Sequence, residues 1–435
     1  MKKNEIYTVE CIDDTNLGSG VARIENQVVF IPRAMKGEKL DTRIVKVDKR
    51  YAFGKIEKLI EPSQHRVESA CEVERLCGGC QLQYMDYPAQ LDLKHRHVSR
   101  LFKNVNENIE VEFPIGMEEP FYYRNKAQFP VQVKDGQVLM GFYRQHSNDI
   151  IPCKECKIQS KEINEIYQYI QEKIRVSQAK GLRHIFIRTS NTEAQVVFIG
   201  KFENNFKPLI NGLTAKFPQI TSIVFNKNLR KDNVILGDQE KVLFGRNYLI
   251  QECLGNKVEL HFKSFYQVNS SQMEKLYKTA IESAQLSRDM TCVELYSGVG
   301  TIGMTVSKYV KKVIGVEIVK EAVANAKRNC KLNNITNCEY ICEDASIFAK
   351  KAKEKGLKID VLFVDPPRKG MTDQGIQDIV CLNPKQVIYV SCNPDTLARD
   401  LKVFEKEGYT CSVVKPVDMF PQTTGLECVA VLKKD

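Results

Sequence analysis

The stretch Cys292-Val-Glu294-Leu-Tyr296-Ser-Gly298-Val-Gly300-Thr-Ile-Gly303 constrains the fold of this chain more than any other. A β-branched run leads into three glycines, and helical patterning is expected after Gly303. Glycines at a strand-to-helix turn let the backbone approach a ligand that a side chain would keep away. The same rhythm continues downstream. KVIGVEIV, CEYICEDA, DVLFVDPP and QVIYVSCNP read as short buried strands, and MEKLYKTAIESAQL and EAVANAKRNCKLNN as amphipathic helices. Strands alternating with helices predict an α/β, Rossmann-like, parallel doubly wound sheet from about residue 256 to 435.

A GxGxxG pattern alone also fits a dinucleotide site. The acids around it favour S-adenosylmethionine. Glu294 ends the strand before the glycines, Glu317 ends the next strand and Asp344 follows the third. A carboxylate at the first position suits a cationic ligand without phosphate. One at the second accepts both ribose hydroxyls, and one at the third lies where adenine contacts fall. The alternative is that each acid only caps the helix after it.

Upstream the pattern differs. Residues 1–60 alternate short β-rich runs with Gly18, Gly20, Gly37 and Gly54, predicting a five-strand OB-like barrel that resembles a TRAM domain. Residues 61–255 predict a mixed α+β central domain with strands KAQFPVQVK, HIFIRTS, AQVVFIG and SIVFNK. Within it, the helix at 88–105 is a candidate to pack on the catalytic domain. Phe121-Tyr122-Tyr123-Arg124-Asn125-Lys126 interleaves aromatics with cations, so Tyr123, Arg124 and Lys126 are candidate RNA contacts. An ordinary strand start explains the same segment.

The net charge of +10 points to a polyanionic partner, but the excess is spread evenly along the chain and singles out no domain. No apolar run is long enough for a membrane, and MKKNEIYTVE lacks the apolar core of a secretory signal, so a cytoplasmic protein is expected. There the 15 cysteines are expected as thiols or metal ligands.

Asp365-Pro366-Pro367-Arg368 ends one strand and Ser391-Cys392-Asn393-Pro394 the next, facing the same crevice. Amino-methylating enzymes use a similar loop with an aromatic where Arg368 stands, which argues against that N-methyltransferase alternative. A cysteine has a clear use if the target is C5 of uracil, since thiolate addition to C6 turns C5 into a nucleophile. A buried structural thiol is the plainer reading of Cys392. All six histidines lie at or before position 261, so the proton acceptor is expected to be a carboxylate, and Glu427 is the candidate.

Taken in order, Phe265-Tyr266-Gln267-Val268-Asn269, the Glu294–Gly300 segment, Glu317, Asp365-Pro-Pro-Arg368, Ser391-Cys392-Asn-Pro394 and the segment ending at Glu427 resemble the RNA uracil-5 methyltransferase family. The closest likeness is to its TRAM-bearing, iron–sulfur branch acting on 23S rRNA. The resemblance implies Gln267, Tyr296, Gly298, Gly300, Glu317, Asp344 and Asp365 as cofactor contacts, Cys392 as nucleophile and Glu427 as base. It also implies Cys71, Cys77, Cys80 and Cys156 as ligands of a [4Fe–4S] cluster, with zinc the competitor on spacing alone. The expected partner is RNA, 23S rRNA before tRNA, with no obligate protein partner. The chain departs from the family at Gln422, where a histidine is usual, and near Gly425. A non-catalytic RNA-binding factor is the remaining class, and the intact set of site residues speaks against it.

Overall fold

The computed structural model describes residues 1–434. The first sheet has the order Ile6–Glu10, Lys39–Val47, Tyr51–Glu61, Gln27–Pro32, Ser19–Ile24, Asp13–Asp14. Period-two alternation puts Val29, Ile31, Leu40 and Ile44 on its fully buried face. The two-residue Asp13–Asp14 makes six strands where five were expected.

The second sheet runs Ile150–Pro152, Gln137–Tyr143, Lys126–Lys134, Leu182–Thr189, Ala194–Gly200, Ile220–Lys227, Gln239–Gly245. The helices Lys161–Lys173 and Lys207–Lys216 contribute Ile163, Ile166, Ile170 and Leu213 to its core.

The third sheet has the order Cys338–Cys342, Lys312–Glu317, Thr291–Leu295, Val361–Val364, Gln386–Ser391, Glu427–Lys434, Tyr409–Val417, Glu110–Val111. The first five strands are parallel, and Glu427–Lys434 runs antiparallel to both its neighbours. Strands such as Val361–Val364 and Gln386–Ser391 are buried along their whole length, as their unbroken apolar sequence requires for a sheet covered on both faces. Strand order reverses between Thr291–Leu295 and Val361–Val364, which opens a crevice at their carboxyl ends.

Two upstream elements complete this sheet. The helix Tyr87–Lys103 is capped by Asp86, which accepts from Ala89 N, and its Val98 and Phe102 lie in the same core as Leu362 and Tyr389. Each such side chain contributes roughly 1.5–3 kcal/mol by leaving water. The short strand Glu110–Val111 then extends the sheet beside Tyr409–Val417. The boundary expected at 255/256 falls in the turn of the hairpin Tyr248–Cys253/Asn256–His261. Its Leu249, Val258 and Leu260 pack in the other core of the third sheet, so the hairpin goes with that sheet as a unit. No helix among the described residues is long and apolar enough to cross a membrane.

Candidate active site

At the carboxyl ends of the parallel strands lies a cavity of about 790 Å³. Gln267, Tyr296, Gly298, Glu317, Asp344 and Asp365 line it, together with Cys392 and Glu427. The chain enters the glycine turn through Tyr296, held at φ +62°. Gly298 follows at φ +53° with open space where a Cβ would be, and its N–H donates to Glu317 Oε2 at 3.0 Å. Glu317 Oε1 accepts from Val319 N at 2.9 Å, so the carboxylate is fixed at the end of its strand.

Two residues of the glycine motif, Gly300 and Glu294, do not line the cavity. A Cβ at Gly300 would stand 2.5 Å from the Tyr340 hydroxyl, which donates to Gly300 O at 3.0 Å. Its glycine makes room for Tyr340 beneath the turn. Glu294 is buried and accepts from Gly303 N at 3.0 Å, bracing the turn from below. The helix after the glycines begins at Thr301, before Gly303. Asp344 lines the cavity, and its Oδ1 caps the helix Ala345–Glu354.

Cys392 is half-buried after the strand Gln386–Ser391, and Asn393 caps the helix that follows. Burial pushes its thiol up to about 11, Glu427 and Asp365 add to this, and Arg368 opposes it. Asp365 is pushed up to about 7 by burial. Glu427 opens its strand, is 2% exposed, and has an Oε2 without a hydrogen-bond partner. Burial, with Asp365 nearby, holds it well above the usual carboxylate range. Cys392 and Glu427 thus line one cavity together with the glycine-turn residues Tyr296 and Gly298.

In the Phe121–Lys126 segment, Tyr123 and Asn125 are buried while Arg124 and Lys126 stay half-buried. Tyr123 is buried and donates to Pro421 O at 2.9 Å, and Arg124 lines a different, cysteine-rich cavity. Lys126 pairs in register with the buried Arg188 and is pushed down to about 8 by burial. The segment backs the site: Asn125 donates to Gln267 O at 3.0 Å and to Ser270 Oγ at 2.9 Å. Sequence reasoning gave no role to Phe265, 73% exposed at the cavity mouth, or to Ile318, 66% exposed beside Glu317.

The cysteine-rich cavity is lined by Cys71, Cys77, Cys80, Cys153 and Cys156. Cys153 Sγ donates to Glu155 O at 2.9 Å. No group of three or more His, Cys, Asp or Glu side chains among the described residues is placed to hold a single metal ion.

A glycine turn, strand-end acids and an order reversal above a parallel sheet define the site of an S-adenosylmethionine-dependent methyltransferase. Residues 86–435 match the family described as tRNA (uracil-5-)-methyltransferase, and residues 2–56 match the TRAM domain. The chain belongs to this RNA uracil-5 methyltransferase family. It is 40% identical to an RNA methyltransferase of Oceanobacillus iheyensis, covering 99% of this chain and 97% of that one. It is also 40% identical to one of Clostridium acetobutylicum, over 100% of this chain and 98% of the other. Among solved structures, the Pyrococcus abyssi tRNA (uracil-54, C5)-methyltransferase with S-adenosyl-L-homocysteine superposes with a TM-score of 0.76 at 27% identity. That match covers 98% of this chain and 99% of the Pyrococcus chain.

Proposed function

We propose that this enzyme methylates C5 of a uridine in 23S rRNA through a covalent bond between Cys392 and C6. The observation that carries the chemistry is Glu427, a buried carboxyl with an unpartnered oxygen, lining the cavity that Cys392 also lines. Leaving such a group unpaired costs about 1–3 kcal/mol, a cost a reaction explains and packing does not.

Cys392 gives its proton to water and its sulfur adds to C6, placing the electron pair of the C5–C6 bond on an enolate. S-adenosylmethionine, when bound, would supply the methyl group that C5 takes up and would leave as S-adenosylhomocysteine. Gln267, Tyr296, Gly298, Glu317, Asp344 and Asp365 are the residues to hold that donor, and the open space at Gly298 fits close backbone approach. C5 then carries both a methyl group and a hydrogen. Glu427 removes that proton, the C5–C6 double bond re-forms, and the electron pair of the C6–S bond returns to Cys392. Burial makes Glu427 a stronger base than an exposed carboxylate. The exposed ring of Phe265 at the mouth is placed to stack on the uracil.

The ribosomal target rests on the resemblance to the 23S branch in its cysteine segment and barrel, although the Pyrococcus tRNA enzyme also superposes over 98% of this chain. Five thiols around one cavity suit a [4Fe–4S] cluster, held by Cys71, Cys77, Cys80 and Cys156. Cys153 already spends its S–H on Glu155 O, which leaves Cys156 as the fourth ligand. The cluster staples two distant segments, and the enzyme works in the cytoplasm. Transfer RNA is the second reading, favoured by the family description and the Pyrococcus neighbour. Mapping 5-methyluridine in cells lacking the protein decides between them. Loss from 23S rRNA is expected; loss from tRNA alone would overturn the ribosomal assignment.

A further inference from the structure

Cys392 borders a second cavity of about 260 Å³, which Glu427 does not line. It shares only Cys392 and Arg368 with the cofactor cavity. Several parts of the chain build it, among them Leu82 and the residues Thr424, Gly425 and Leu426 just before Glu427. Asn16 and Leu17 come from the loop of the N-terminal sheet, Leu93 and His97 from the helix Tyr87–Lys103, and Asn393 and Asp395 from the turn after Cys392.

The loop from the N-terminal sheet is fixed in place. Arg96 Nη2 meets Asp14 Oδ2 at 3.0 Å, and Arg100 Nη1 meets Asp13 Oδ2 at 2.8 Å. From the other side Tyr84 donates its hydroxyl to Gly18 O at 2.9 Å, and Asn16 Nδ2 lies 3.4 Å from His97 Nε2. This anchoring presents Leu17, an apolar side chain 69% exposed, at the cavity. Leucine side chains, the His97 ring, amide and carboxyl groups and the Arg368 cation are a set that receives a nucleotide: one ring and apolar surface for a base to lie on, hydrogen bonds for a base edge, and a charge for phosphate. Burial and Arg100 favour the neutral form of His97, against the pull of Asp395, and a neutral ring both stacks and hydrogen-bonds.

We propose that this second cavity seats the nucleotide adjacent to the target uridine, so that the N-terminal domain reads sequence context within one nucleotide of the chemistry. The inference rests on the reading of Cys392 given above. The reacting base must touch both Cys392 and Glu427, which only the first cavity allows. An RNA strand passing Cys392 therefore places a neighbour in the second.

Leu17 replaced by the photoreactive benzoylphenylalanine gives the direct test. The variant is first trapped on 5-fluorouridine-substituted 23S rRNA and tRNA transcripts in the presence of S-adenosylmethionine, then irradiated. Crosslinks within one nucleotide of the trapped uridine are expected. A trapped complex whose crosslinks map elsewhere overturns this seat and leaves Cys392 standing. Absence of any trapped complex overturns both. As a second measurement, Leu17→Ala and His97→Ala should raise KM for RNA roughly tenfold, the scale of a lost base stack, with kcat close to unchanged. An unchanged KM for both variants counts against the seat.

Discussion

Gln90 and Gln422 hold each other by two reciprocal hydrogen bonds. The side-chain amide of Gln90 donates to Gln422 Oε1 at 3.0 Å, and the Gln422 backbone N–H donates to Gln90 Oε1 at 2.9 Å. The carbonyl of Gln422 accepts from the backbone N–H groups of Gln81 and Leu82, directly after Cys80. Beside this pair, Lys94 meets Asp418 at 2.7 Å in a buried ion pair. The loop leading to Glu427 is thereby tied to the cysteine segment. Gln90→Leu strands the groups of Gln422 and should cost about 1–3 kcal/mol. Thermal unfolding measures that cost. Turnover should fall while S-adenosylmethionine affinity holds, because the disturbed loop lies on the Glu427 side.

Covalent catalysis predicts trapping. RNA containing 5-fluorouridine should form a stable methylated adduct, since fluorine does not leave C5 as a proton does. Cys392→Ala should abolish the band on a denaturing gel. An undiminished adduct in that variant would remove Cys392 from the mechanism.

Glu427→Gln should separate two steps. The variant should bind RNA and cofactor and still form the methylated adduct, then release it slowly. Rapid-quench assays should show adduct accumulating. Normal turnover would move the base elsewhere.

Asp365 carries a stability cost with a defined pH dependence. Its folded-state pKa of about 7 lies above its ordinary 3.8, so the folded protein holds a proton that the unfolded chain has released. Folding stability is therefore unaffected below the lower value, falls as pH rises between the two, and stays reduced above the upper one. Asp365→Asn removes that penalty, worth on the order of 3–4 kcal/mol at pH 8. The gain in thermal stability of the cofactor-free protein should be larger at pH 8 than at pH 5, while methyl transfer falls. An equal gain at both values would contradict the shift.

The cysteine cavity predicts brown protein after anaerobic purification, with iron and sulfide. Cys156→Ser should lose the cluster and reduce solubility, and Cys153→Ser should keep it. The reverse would exchange the fourth ligand. Stoichiometric zinc without sulfide would refute the cluster and leave methyl transfer untouched, because that reaction moves no electrons through metal.

The parallel sheet and its cavity were legible because each strand is a short unbroken apolar run and each strand end carries a chemically distinctive residue. Gly298, Glu317, Asp365, Cys392 and Glu427 all line the cavity, although they span some 130 positions. What local pattern could not show was direction. Tyr123 looked like a surface aromatic, yet a hydrogen bond to Pro421, far away in sequence, turns it inward. Gly300 matched a ligand-binding spacing, but its partner is Tyr340. The helix Tyr87–Lys103 shows its apolar stripe plainly, and nothing nearby says that the stripe meets Leu362 and Tyr389.

That late pairing sets an order of events on the ribosome. Glu110–Val111 waits for Tyr409–Val417, roughly 300 residues later. At about 5–20 residues per second, Val98 and Phe102 lack their downstream partners for roughly 15–60 seconds. Glu427 then arrives as the first residue of the strand that slots between Gln386–Ser391 and Tyr409–Val417. Completing the sheet and bringing Glu427 to the cavity are one event, so a nascent or stalled chain displays sticky helix surface beside an unfinished site, and the cavity gains its last wall only when the sheet closes.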